Sequence, residues 1–288
     1  MRNRLLMLLA LLAAAFAAVT LSACGSDDSG GGNTVKLDLK KVAEATKAKG
    51  SAEISLKFSG KDDKQSADFS LTGKADFDKG KLDAEADLGS VLAAAGVPAQ
   101  GDQSVRLLVD GKKIWIKIPS VQGLTLPGGQ DWASLDLEKV SDKFDIKKQA
   151  DKARSEPIEP IEMNKVGTET LNGEEVTHLK SESTLRDLLG SLSEEQSKQA
   201  IEQIEKQDGG KKALDTKVPV EVWVDSSNAL HRMTAEISDG ETDVAVDLTM
   251  KNFGAAVTID PPAASETFDA TELLLQAAGS LGSLGSTP

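Results

Sequence analysis

The sequence predicts an α+β domain in which one large, curved antiparallel sheet of about ten strands wraps around a few helices. Three observations lead there. Apolar and polar residues alternate with period two through much of residues 51–118 and 162–250. Such alternation marks antiparallel strands with one wet face. Short segments with a single apolar stripe at helical spacing interrupt the strands, and such helices need an apolar sheet face to cover. No internal repeat divides the chain, and its length suits one sizeable core.

The elements follow in order. Leu39, Val42, Ala43 and Thr46 recur at helical spacing, with Asp38 placed to cap the start and Gly50 to stop it. In residues 51–59, Ala52, Ile54, Leu56 and Phe58 share one face. The alternation returns in Ala67, Phe69, Leu71, Gly73, Ala75 and Phe77, then in Leu82, Ala84, Ala86 and Leu88. Residues 103–109 and 113–118 read as a hairpin over Asp110-Gly111. A Gly/Pro loop (123–131) and a short helix near Leu137, Val140 and Phe144 come next, then a polar connection over 145–160. Residues 162–170 and 174–181 read as a hairpin over Asn172-Gly173. Helical stripes run over 184–208, with Ser193 and Gln196 as a capping box. Strands at 218–224, 230–237 and 243–250 close the fold. A last apolar turn (Leu273 to Leu275) precedes Gly/Ser repeats.

The chain opens with Arg2 and Arg4, an apolar run from Leu5 to Val19, and Leu21-Ser22-Ala23-Cys24. This is a secretory signal, and its end resembles the lipobox of bacterial lipoproteins, whose cysteine is acylated and becomes the first mature residue. The run is short for a lasting membrane span, which wants about 20 residues; an uncleaved anchor helix is the alternative. Two or three acyl chains would hold the protein firmly where one would not. Residues 25–33 form a Gly/Ser coil reaching about 17 Å. The expected organisation is a signal peptide at 1–23, acylated Cys24 with its linker at 24–33, one domain at 34–268, and a largely disordered tail at 269–288. Localisation follows: the extracytoplasmic face of the cell membrane, lipid-anchored.

Cys24 is the only cysteine, so no disulfide, thiolate ligand or thiol nucleophile remains. The signal peptide holds two arginines and no acid, so the formal net charge of −13 becomes −15 on the mature chain. Such a body repels phosphates, making nucleic acid and anionic headgroups poor partners. Aromatic residues are 3% of the chain and tyrosine is absent, which weighs against an aromatic glycan platform.

Val166-Gly167-Thr168-Glu169-Thr170, Asn172-Gly173 and Thr177-His178 together resemble a hairpin of the actinobacterial LppX/LprAFG-type lipoproteins. Val218-Pro219-Val220-Glu221-Val222-Trp223-Val224-Asp225, with His231-Arg232-Met233, resembles that family's Trp-Asp strand and the strand after it. The resemblance spans most of residues 24–262. It implies a LolA-like half-barrel with an apolar cavity between sheet and helices, binding a lipid or acylated glycolipid for transport or presentation. On that reading Ile54, Leu56, Phe58, Phe69, Leu71, Leu82 and Ala84 line the cavity, an envelope protein is a possible partner, and a monomer is expected. From the residues alone, the small side chains on those strands favour a helix packed close against the sheet over a hollow, and only the resemblance points to a cavity.

No motif carries catalysis. There is no Gly-x-Ser-x-Gly elbow, and His178 and His231 lack the ordered spacing of a zinc site, which wants three or four ligands. His178 is read as structural, and Asp136, Glu138 and Asp142 as a solvated helix face. Trp115 and Trp223 point away from the aliphatic faces of their strands, as an outer packing layer or a partner patch. The expectation is a non-enzymatic protein without cofactor or metal. A filled-core structural or protein-interaction lipoprotein is the alternative.

Overall fold

The computed structural model describes residues 33–62, 66–94, 103–117, 119, 126–144, 160–190, 194–206, 210–238 and 242–276. Cys24, its linker, the signal peptide and the tail beyond 276 lie outside these, as do Ser193 and most of the 145–160 connection. The strands are β1 (Thr34–Leu37), β2 (Ser51–Asp62), β3 (Ser66–Asp76), β4 (Lys81–Asp87), β5 (Ser104–Asp110), β6 (Lys113–Lys117), β7 (Trp132–Asp136), β8 (Ile161–Leu171), β9 (Glu174–Thr184), β10 (Lys217–Val224), β11 (Leu230–Ser238), β12 (Thr242–Lys251) and β13 (Thr267–Asp269). The helices are α1 (Leu39–Ala48), α2 (Gly89–Ala94), α3 (Leu137–Phe144), α4 (Leu185–Gly190), α5 (Glu194–Glu205) and α6 (Gly210–Leu214).

All thirteen strands join one sheet in the order β1-β8-β9-β10-β11-β12-β2-β3-β4-β5-β6-β7-β13. The order does not close on itself, so β1 and β13 are its edges and the expected curved, open α+β architecture is present. Sheets this wide curl because strand twist accumulates.

Local chemistry sets several boundaries as the sequence predicts. The Asp38 carboxylate accepts from the N–H groups of Lys40 (2.9 Å) and Lys41 (3.3 Å), capping α1. The β8–β9 turn puts Asn172 and Gly173 at φ 54° and 87°, the double positive φ of a tight hairpin. Three strands exceed the sequence reading. β1 is four residues and pairs with β8, more than a hundred positions away. β7 follows directly on the Gly/Pro loop, and β13 is three residues lying parallel to β7. None is long enough to show a period.

The main core lies on one sheet face. Val218, Val220, Val222, Ala235, Ile237, Val244 and Val246 pack there under Val42 of α1, Leu185 and Leu189 of α4, Ile204 of α5 and Leu214 of α6. The opposite face carries a smaller layer, where Trp115 packs with Leu108, Ile259, Trp132 and Val257. Trp115 is therefore an outer packing residue, held under the segment that carries Val257 and Ile259.

Candidate functional site

Strand register places all seven expected lining residues on the apolar face of three adjacent strands. Phe58 faces Phe69, Leu56 faces Leu71, and Ile54 faces Gly73 across β2 and β3. Gly73 then faces Ala84, and Ala75 faces Leu82, across β3 and β4. Packing separates the seven. Phe58 belongs to the main core, with Leu56 and Phe69, both half-buried, packed against it. Ile54, Leu71 and Leu82 are half-buried outside that cluster, while Ala84 is 2% exposed. Ala84 lies tight against its neighbour: a Cβ built on Gly73 would sit 2.7 Å from the Ala84 Cβ. A bulky residue at 84 would strike the sheet, so half-buried Leu82 is the better place to obstruct this face.

The same face continues where the sequence reading named no lining residue. Leu82 is paired with Val109 and Ala84 with Leu107 on β5. Leu107 meets Ile116 on β6, and Ile114 meets Leu135 on β7. All of these except Ala84 are half-buried. The signal was present in the sequence, because β5 and β6 alternate just as β2 does. Among the described residues, the main core draws on β1, β8–β12, β2 and β3, and on nothing from β4–β7. One apolar face thus has two halves: one filled by α1 and α4–α6, and one only half-covered.

The polar face is built differently. Two grooves of about 560 and 520 Å³ open there, the larger lined by Lys57, Asp68, Asp87, Arg232 and Asp247, with Phe58 and Phe69 also touching it. Arg232 is committed to Asp247 through two hydrogen bonds of 3.1 and 2.8 Å. The Ser90 hydroxyl of α2 closes one end, accepting from the Asp68 N–H at 2.7 Å and donating to the Asp68 carbonyl. So charged a lining does not suit an acyl chain.

Each histidine enters its own network. His178 sits 2.8 Å from both Glu169 Oε1 and Glu221 Oε2 and stacks on Trp223 at 4.3 Å. Trp223 Nε1 donates to Glu169 Oε2 at 3.3 Å, and the Arg232 guanidinium lies over the indole. Burial opposes ionisation of Glu221, but hydrogen bonds from His178 and Lys180 outweigh it and hold that carboxyl below its usual range. This cluster clamps β8 through β11 together. His231 is 2% exposed, 3.4 Å from Asp225 Oδ2. Partial burial opposes ionisation of Asp225 too. The Lys49 ammonium at 2.7 Å, the Ser227 hydroxyl and the N–H groups of Ala229 and Ser227 prevail and hold its carboxyl well below the usual range. Both networks tie strands together. Among the described residues, no three His, Cys, Asp or Glu side chains are grouped to hold a metal ion, and no helix is long and apolar enough to cross a membrane.

No family model and no curated protein matches the chain. Solved structures similar to it include Mycobacterium tuberculosis lipoprotein LppX, at 16% identity and TM-score 0.39, over 77% of this chain and 96% of that one. LprF from Mycobacterium bovis matches at 15% identity and TM-score 0.36, over 77% and 94%. A chain of the Pseudomonas aeruginosa MucA/MucB complex matches at 12% identity and TM-score 0.27, over 79% of this chain and 60% of that one. The first two bear names of the family that residues 166–178 and 218–233 resemble. At this level of likeness, nothing about ligand or partner transfers to the chain.

Proposed function

We propose that this protein is a lipid-anchored, non-enzymatic envelope protein that holds the acyl part of a lipid or acylated glycolipid, for transport or presentation. The acyl part lies against the β3–β7 half of the apolar face. Acylated Cys24 keeps the protein on the extracytoplasmic face of the cell membrane, and residues 34–268 form the binding domain. The observation that carries this reading is the split apolar face, packed from β1 as far as Ala67 and Phe69 of β3 and half-covered from there to β7.

Dimensions and energies support it. Five strands at about 4.8 Å spacing span roughly 19 Å. One acyl chain reaches across half a hydrocarbon core of about 30 Å, or roughly 15 Å. Burying ~14 methylenes at ~0.8 kcal/mol each gains ~11 kcal/mol gross. Ordering costs of ~4–15 kcal/mol offset much of this, and the lipid's alternative is a bilayer rather than water. Such a complex is real yet exchangeable, as a carrier or presenter requires.

Native mass spectrometry of the mature chain bearing Cys24→Ser, after incubation with envelope lipid extract, tests the reading. Discrete adducts that extract as acyl lipids are expected, and Leu82→Trp should reduce them. A bare protein mass throughout would transfer the assignment to a filled-core interaction lipoprotein.

A further inference from the structure

The half-covered part of the apolar face does not stop at β7. Phe268 of β13 is paired with Ala133, which meets Ile116 on β6 and through it Leu107 on β5, so register places Phe268 on the same face. Phe268 is half-buried. The edge strand β13 is thus the rim of that face, and the chain leaves the sheet there. Helical residues 271–276 follow at once, held to β7 by two bonds. The Ala270 N–H donates to the Ser134 carbonyl at 2.9 Å, and the hydroxyl of buried Thr271 accepts from the Asp136 N–H at 3.0 Å.

What continues from this anchor is apolar and uncharged. Leu273 is 59% exposed and Leu274 is 38% exposed, so the described fold leaves both without cover. None of the residues from Leu273 to Pro288 is Asp, Glu, Lys or Arg, in a chain that is 27% charged. Leu274, Ala277, Leu281 and Leu284 recur at helical spacing and make one apolar stripe. Gly279, Gly282 and Gly285 weaken such a helix unless it has a surface to lie on. From Thr271 to Leu284 a helix would advance about 20 Å. The four strand spacings from β13 back to β4 come to roughly 19 Å.

From this placement we infer that residues 273–288 are an internal occupant of the half-covered apolar face, lying from β7 toward β4 when no lipid is bound and yielding the face to lipid. Joined to the rim, the segment meets that face at an effective concentration in the millimolar range, which makes a weak apolar contact sufficient. A lipid finds the face free only in the uncovered fraction, and its apparent affinity falls in proportion. Coverage also removes the apolar patch that an empty binding face presents to water. Competition with lipid rests on the proposed function; the seat of the segment on the face does not.

Cys24→Ser leaves the mature chain without a cysteine, so paired substitutions can report the contact. Leu284→Cys with Leu82→Cys puts one thiol on the segment and one on the apolar face. Leu284→Cys with Glu85→Cys uses the polar face of the same strand, where Glu85 is exposed. Under mild oxidation the first pair should close a disulfide within one chain about tenfold faster than the second, since only its thiols share a face. Envelope lipid extract should slow the first pair alone. Joint Leu281→Asp and Leu284→Asp should tighten lipid binding about tenfold for a face nine-tenths covered, a gain that misfolding does not produce. Equal closure by the two pairs, or unchanged lipid affinity in the double Asp variant, would overturn the inference. A disulfide joining two chains would overturn it too, and would assign the face to a second copy. Preferential closure without any lipid adduct would defeat the proposed function and leave the internal occupant standing; adducts with equal closure would do the converse.

Discussion

Truncating one leucine in each half of the apolar face distinguishes packed core from half-covered surface. Leu179 of β9 is 4% exposed inside the main cluster, where it faces Val222. Leu179→Ala removes buried methyl groups and leaves a cavity, at a cost of about 2–5 kcal/mol. In a chain of this size each kcal/mol lowers Tm by about 2–4 °C, so the midpoint should fall by about 10 °C. Leu82 of β4 is half-buried and outside that cluster. Leu82→Ala should forfeit about half of a ~2.4 kcal/mol transfer term with little cavity penalty, or near 1 kcal/mol. Scanning calorimetry of both variants without lipid reads the contrast. Mass spectrometry with lipid should then show the reverse order, with adducts reduced by Leu82→Ala and retained by Leu179→Ala. Equal destabilisation by the two substitutions would refute the reasoning, since β4 would then be as firmly packed as β9.

Asp225→Asn removes the charge that Lys49, Ser227 and Ala229 address, and should cost about 2–3 kcal/mol at neutral pH. A depressed carboxyl stabilises the fold above its unfolded pKa of about 3.9, and that contribution is lost as pH falls below it. The gap between wild type and Asp225→Asn should therefore narrow from pH 7 toward pH 3 in urea titrations; a constant gap would contradict the assignment. Trp115→Ala empties the outer layer beneath Val257 and Ile259 and should cost about 3–5 kcal/mol. Lipid adducts should survive it, because Trp115 lies on the other face from Leu82.

Sequence by itself determined the elements whose causes are local. The alternation of Ala52, Ile54, Leu56 and Phe58 fixes which face of β2 is apolar, because side chains alternate across any strand. Asp38 fixes the start of α1, and Asn172-Gly173 fixes the β8–β9 turn, through bonds and dihedrals within a few residues. Composition likewise carries the acidic character of the chain and a basic stretch at residues 34–50.

Only the tertiary structure decided what those faces meet. β1 and β13 are strands because distant partners complete their hydrogen bonds, and three or four residues show no period of their own. Glu169 and Glu221 reach one imidazole because β8, β9 and β10 pair in a particular register, across 54 positions or fewer. Above all, Leu56 and Leu82 look alike in sequence, each an alternating leucine on an apolar face. Both are half-buried, but only Leu56 packs against the main core, because α1 and α4–α6 pack over one side of a sheet too wide for them to span. Helix placement is a property of the whole chain, and no local pattern of residues encodes it.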